Sequence, residues 1–329
     1  MRRRWVVLVL SLLVMFVVPQ LAAAEQGKVR EMKDITIRFF VGGDPGDAFA
    51  SIVYKGALDA ARDLGVKVDY VFSGWNVEKM ISQLRDAIAA KPDGIAMMGH
   101  PGDDALMPLI EEAYKLGIKV MFQNVDCPKI RERFGCGYVG ANLEKQGWDL
   151  GKKAIEMFGL KEGDKVIVLG AWGQPGRYIR EEATARAFEE VGIVVERITS
   201  PPEWATAPEM AIPTLTAQLL AHPETKLICL PGGQLLAAAP MYMEALGKKP
   251  GEIKIIGFDL NPGVIEAFRK GYVQLTADQQ PYLQGYLPIL SLALTIAYGF
   301  SPITYDTGAG FVTEENFEEI APLVEAGIR

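Results

Sequence analysis

The sequence predicts an α/β protein of two similar lobes, each a parallel sheet with helices on both faces. Three observations carry that prediction. Short apolar runs alternate with stretches of helical spacing along most of the chain. The joint from helix to strand is punctuated the same way three times, at Leu64-Gly-Val-Lys-Val68, Leu116-Gly-Ile-Lys-Val120 and Val191-Gly-Ile-Val-Val195. There are also about ten strand-like runs, more than one sheet comfortably holds.

The first run, 35–41, leads into a helix whose apolar stripe is Phe49, Ile52, Val53, Ala57, Ala60 and Leu64. After the run 66–72, Met80, Ile81, Leu84, Ala87 and Ile88 form a second stripe. Further runs at 94–98, 119–123, 165–169, 193–198, 226–230, 253–258 and 273–276 read as buried parallel strands. In each repeated joint the glycine supplies the left-handed residue that ends a helix.

Composition narrows the function. The chain has 329 residues, 49% hydrophobic and 23% charged, which suits about two folded domains. A net charge of −7, with no basic run beyond Arg2, Arg3 and Arg4, argues against a nucleic-acid partner. Three cysteines and two histidines, scattered, make neither a zinc cage nor an obvious catalytic pair. Gly42-Gly-Asp-Pro-Gly-Asp47 lacks nucleotide-binding spacing, and neither a P-loop nor a G-x-S-x-G elbow occurs.

The N-terminus reads as an export signal over residues 1–24. Three arginines precede an apolar stretch at 5–18, and Leu21-Ala-Ala-Ala24 offers small residues for cleavage before Glu25. The stretch is short for a spanning helix, which needs about 20 residues. Cleavage would remove three arginines and no acid, taking the charge to −10 and releasing the chain into the periplasm or beyond. In that oxidising setting Cys127 and Cys136 are expected to be bridged across a polar, aperiodic loop, worth roughly 2.5–3 kcal/mol. Cys229, within an apolar run, reads as a buried free thiol.

Ligands of parallel sheets sit beyond the carboxyl ends of strands. Those positions here are rich in Asp, Asn, Gln, Arg and aromatic residues. Planar polar side chains match adjacent sugar hydroxyls, and a ring covers the apolar face of a pyranose. The same residue types also build turns and helix caps. Asp259, at a strand end, is either a ligand contact or the cap of the helix opening near Pro262. The neighbouring pairs Asp103-Asp104 and Glu181-Glu182 diverge on a helix and read as solvated or capping groups.

Ile256-Gly-Phe-Asp259, Asn261-Pro262, the run 271–279, Gln280-Pro281-Tyr282 and Gly285 resemble the C-terminal signature of periplasmic sugar-binding proteins. The type is the ribose-binding-like solute receptor of ABC transporters. Phe49 before Tyr54-Lys-Gly-Ala57, and Pro202-Glu-Trp204 before 214–223, are similar to earlier units of that family. The resemblance implies two Rossmann-like lobes joined by a three-crossover hinge, the type I arrangement. The first lobe would hold 33–138 plus 281–301, and the second 139–280 plus 302–329. It implies a monosaccharide or polyol bound between the lobes by hinge closure and handed to an inner-membrane permease, with no cofactor, metal or catalytic residue and with the chain acting as a monomer. The implied ligand positions are Asp47, Phe49, His100, Asn124, Gln234, Asp259 and Gln279, with an arginine at either Arg177 or Arg180. Trp172 and Trp75 would stack or pack near the cleft, and Trp204 would be structural. His100, Asn124 and Gly232-Gly233 depart from the family's usual residues, which argues against ribose itself. A receptor for a sugar-like signal or a chemotaxis ligand is the alternative. The tail after Tyr305 is acidic and amphipathic and reads as a packing element.

Overall fold

A computed structural model describes residues 29–173 and 178–329. The expected signal, residues 1–24, and Arg177 lie outside the described residues. In chain order the strands are β1 (Thr36–Gly42), β2 (Lys67–Phe72), β3 (Gly94–Met98), β4 (Lys119–Gln123), β5 (Gly137–Gly140) and β6 (Lys165–Gly170). They continue with β7 (Val194–Thr199), β8 (Thr225–Leu230), β9 (Lys254–Phe258), β10 (Leu275–Asp278), β11 (Thr304–Asp306) and β12 (Gly310–Thr313). The helices are α1 (Ala48–Leu64), α2 (Val77–Ala89), α3 (Gly102–Lys115), α4 (Pro128–Phe134), α5 (Leu143–Phe158) and α6 (Ile179–Glu189). After them come α7 (Ile212–Ala221), α8 (Gly233–Ala237), α9 (Ala239–Ala245), α10 (Pro262–Arg269), α11 (Pro281–Tyr298) and α12 (Phe317–Glu325).

The strands form two six-stranded sheets, ordered β11-β5-β4-β3-β1-β2 and β12-β10-β9-β8-β6-β7. Every pairing is parallel except β10 with β12. Gly65, Gly117 and Gly192, the glycines of the repeated joint, all have φ between 71° and 82°, the left-handed stop that the pattern predicts. Apolar side chains alternate across β1: Ile37, Phe39 and Val41 pack on one face while Phe40 packs on the other. Each sheet is therefore sealed by a core on both faces. In the first lobe α11 lies against α1 so closely that a side-chain carbon at Gly285 would stand 1.9 Å from the Val53 carbonyl oxygen.

The chain passes between the sheets three times: from β5 into α5, from β10 into α11, and from β11 into β12. Polar groups knit these passages together. Asp306 Oδ1 accepts from the Asn142 and Gly308 amides, and Gln280 Nε2 donates to the Thr307 carbonyl at 2.9 Å.

Three strands escape the sequence reading. β5, β11 and β12 are only four, three and four residues long. β11 is exposed throughout and belongs to the first sheet, so residues 304–306 do not pair with the second as the expected boundaries imply. The tail packs as expected: β12 edges the second sheet and α12 lies against α10.

The expected Cys127–Cys136 bridge is absent, and all three cysteines are buried free thiols. The segment between them is the helix α4, capped by left-handed Gly135, where an irregular loop was expected. The helix holds its two ends on different partners. Cys127 Sγ lies 3.6 Å from the Gly99 carbonyl oxygen, whereas Cys136 Sγ is 3.3 Å from the Tyr114 hydroxyl.

Candidate functional site

The second lobe contributes a charged cluster at the carboxyl ends of its strands. Asp259 follows β9, and its carboxylate accepts from Arg180 Nη1 at 3.3 Å, Arg180 Nη2 at 3.2 Å and Gln279 Nε2 at 2.7 Å. Arg180, in the first turn of α6, also donates to the Pro231 carbonyl at 3.0 Å and stacks 4.4 Å over the Phe258 ring. Burial works against the guanidinium's charge, but the adjacent Asp259 and Glu181 carboxylates together outweigh it and hold the pKa above its ordinary value. Asn261, not Asp259, caps α10, its Oδ1 accepting from the Val264 amide at 2.9 Å. The capping role that the sequence leaves open for Asp259 is thus already filled.

The first lobe supplies aromatic and amide groups. Asp47 caps α1 through the Ala50 amide at 2.8 Å, and its other oxygen accepts from Trp75 Nε1 at 3.1 Å. Trp75 lies between Phe49 and His100, with ring centroids 6.1 and 5.5 Å away. Asn124 follows β4 and donates to Gln284 Oε1 at 3.1 Å. Of the five non-glycine residues with positive φ among those described, Trp75, Asn124, Asp259 and Gln280 lie at this cleft or its crossovers. Strained backbone of this kind persists where the surroundings over-determine it, as at ligand clamps.

Between the lobes lies a cavity of about 370 Å³, lined by His100, Asn124, Arg180, Glu181, Gln234 and Gln279 among others. A smaller compartment of about 40 Å³ adjoins it across Gln234 and brings together Phe49, Ile52 and Asp259. The predicted positions His100, Asn124, Arg180, Gln234 and Gln279 therefore meet in one space, with Phe49 and Asp259 next to it. Asp47 stands behind the wall as cap and anchor. Trp172 packs between Tyr178 and Arg197 over the second-lobe core and does not line the cavity.

Glu181 corrects the sequence reading. It is 3% exposed rather than solvated, its Oε1 lies 3.5 Å from Arg180 Nε, and its buried Oε2 has no hydrogen-bond partner among the described residues. Burial raises its carboxyl pKa, and Arg180 offsets only part of the rise. Helical spacing carried the signal, since Glu181 shares a stripe with buried Thr184, Ala185 and Phe188. Gln284 was also overlooked, although it repeats with buried Pro288, Ser291 and Leu292 along α11.

Two mostly parallel α/β lobes, three crossovers and a polar cavity at facing strand ends define a two-lobed binding protein. Residues 38–298 match the periplasmic binding protein domain family, and the chain belongs to it. The xylose/arabinose-binding protein of Sulfolobus acidocaldarius is 25% identical over 256 residues, covering 73% of this chain and 61% of that relative's length. The D-ribose/D-allose-binding protein of Pseudomonas aeruginosa is also 25% identical, over 69% of this chain and 67% of its own. Among solved structures, a carbohydrate transporter from Acidothermus cellulolyticus in complex with myo-inositol superposes with a TM-score of 0.73 at 27% identity, covering 90% of this chain and 99% of that one. The fold is the type I arrangement of that family, whose members are non-catalytic binding components working in the periplasm or outside the cell.

Proposed function

We propose that this protein is the solute-binding component of an ABC importer and takes a monosaccharide or polyol into the cleft between its lobes. The observation that carries the reading is the meeting of Arg180, Asp259 and Gln279 from one side with His100 and Asn124 from the other. The charge of Arg180 is already answered by Asp259, so among the described residues the wall offers an anion no bare arginine or lysine. It offers paired donors and acceptors instead, which suit neighbouring hydroxyls, and charge-assisted bonds give them strength. Phe49 supplies the apolar face for a sugar ring, with Trp75 packed against it. The relatives that bind xylose or arabinose, ribose or allose, and myo-inositol support a small polyhydroxyl ligand. In this reading the chain is exported by cleavage after Ala24 and acts as a monomer. Hinge closure buries the ligand and presents both lobes to a membrane permease.

A thermal-shift panel of pentoses, hexoses and inositols tests it. A ligand at 100 times its dissociation constant adds about 2.7 kcal/mol and raises the melting point clearly. The ligand should be recovered unchanged. A shift with amino acids or anions and with none of the sugars would refute the reading.

A further inference from the structure

Gln284 stands at the start of α11, fully buried, with both ends of its amide engaged. Its Oε1 accepts from Asn124 Nδ2 at 3.1 Å. Its Nε2 faces three acceptors: the Gln279 carbonyl at 2.9 Å, Gln279 Oε1 at 3.3 Å and Thr307 Oγ1 at 3.1 Å. Gln279 passes the link on to Asp259, and Asp259 to Arg180. An unbroken line of hydrogen bonds therefore runs from β4 of the first lobe, through the β10–α11 crossover, to the second lobe.

The polarity of this line follows from its charged end. An ionised carboxylate only accepts, so Gln279 must turn its NH2 toward Asp259 and its oxygen toward Gln284. Gln284 then donates to Gln279 and has only its oxygen left for Asn124. Asn124 must donate in its turn, which leaves its own oxygen for the cavity. A flipped amide anywhere along the line would place two donors or two acceptors face to face in a buried site, where an unmade bond is expensive.

We propose that Gln284 is a positioning residue. It locks the amides of Asn124 and Gln279 in one orientation and couples the two lobes through them. Asn124 accordingly presents an acceptor, and the ligand must bring a hydroxyl hydrogen to it.

The test replaces Gln284 with Met, which keeps the bulk, and with Glu, which still accepts from Asn124 but cannot donate onward. Spin labels on cysteines introduced at Asp104 and Leu220, whose side chain and residue are 95% and 76% exposed, report the inter-lobe distance. Both variants should broaden the sugar-free distance distribution relative to wild type. For the best sugar of the panel, Gln284→Met should weaken binding roughly tenfold or more, as for several hydrogen bonds lost at once. In an Asn124→Ala background the same change should cost clearly less, because the two residues act as one unit. The affinity arm rests on the sugar-binding reading and the distance arm does not, so a protein that binds no sugar sinks the former alone. An unchanged distance distribution in the variant that folds would overturn the coupling. Additive losses in the cycle, or a lowered melting point with unchanged affinity, would reduce Gln284 to a packing residue.

Discussion

Arg180 holds Asp259 with both terminal nitrogens, at 3.3 and 3.2 Å, while its guanidinium plane covers the Phe258 ring. The pair is mostly shielded, with side-chain exposures of 15% and 21%. The two groups orient each other and fix which oxygens and N–H groups remain for a ligand.

Asp259→Ala removes the acceptor and leaves buried Arg180 with Glu181, 3.5 Å from its Nε, as its remaining counter-charge. Loss of charge-assisted bonds should weaken sugar binding roughly tenfold to 150-fold. The half-paired arginine should also lower the melting point, a cost that a residue at a bare strand end would not carry. Calorimetric titration and a melting curve on the same variant read both effects. Unchanged affinity would remove Asp259 from the site.

Thiol chemistry follows from the cysteine environments. Burial pushes the Cys127 and Cys229 thiols well above their ordinary pKa, and Cys136 is raised by the same cause. Ellman titration of the folded protein at pH 8 should find almost no fast-reacting thiol. Denaturation without reductant should release three, and dithiothreitol should leave the melting point unchanged. A count of one after denaturation would restore the bridge that the structure lacks.

The strands that the sequence reading places are those with an apolar run long enough to be buried on both faces. β3 and β4 match to the residue, and the others begin or end within one or two residues. β5, β11 and β12 escape because they are short and stand at or near sheet edges, where neighbours rather than side-chain pattern hold them. The site divides along a similar line. Asp259, Asn124 and His100 are legible because they stand next to strand ends. Glu181 and Gln284 are not, because each is a polar residue on a buried helical stripe, and Gln284 draws its partners Asn124 and Thr307 from distant segments. The disulfide expectation treated the ten residues from Cys127 to Cys136 as loop. With Pro128 at its first position and Gly135 at its end, that segment carries ordinary helix punctuation instead.

Glu181 carries a pH signature. Its folded pKa lies above the ordinary glutamate value, chiefly through burial. Such an acid stabilises the fold while protonated, and the contribution fades as pH climbs through the raised value. Glu181→Gln removes the ionisation. It should raise the melting point relative to wild type at pH 7.5, with the difference shrinking toward pH 4. A larger gain at pH 4 than at pH 7.5 would show that ionised Glu181 is favoured in the fold, contrary to its burial.

Gly147 sets the position of Arg180 from behind. Helices α5 and α6 pack so tightly that a side-chain carbon at Gly147 would stand 2.0 Å from the Arg180 carbonyl oxygen and 2.7 Å from its Cα. No side-chain rotation relieves a clash with backbone, so Gly147→Ala must move the first turn of α6. Thr184 Oγ1, which reaches the Gly147 and Arg180 carbonyls at 2.8 Å each, would be strained by the same shift. Overpacking of this kind costs about 1–3 kcal/mol of stability. The guanidinium would also leave Asp259, and sugar affinity should fall roughly tenfold or more. Gly151, one turn further along α5, is the control: its side-chain carbon would meet Ala187 Cβ at 2.7 Å and the Thr184 carbonyl at 3.0 Å, away from Arg180. Gly151→Ala should lower the melting point to a similar extent and cost clearly less affinity, because its nearest atoms belong to Ala187 and Thr184 and not to Arg180. Titration and melting of the two variants side by side decide the matter. Equal affinity losses in both would mean that the interface transmits general damage and that Gly147 has no particular hold on Arg180.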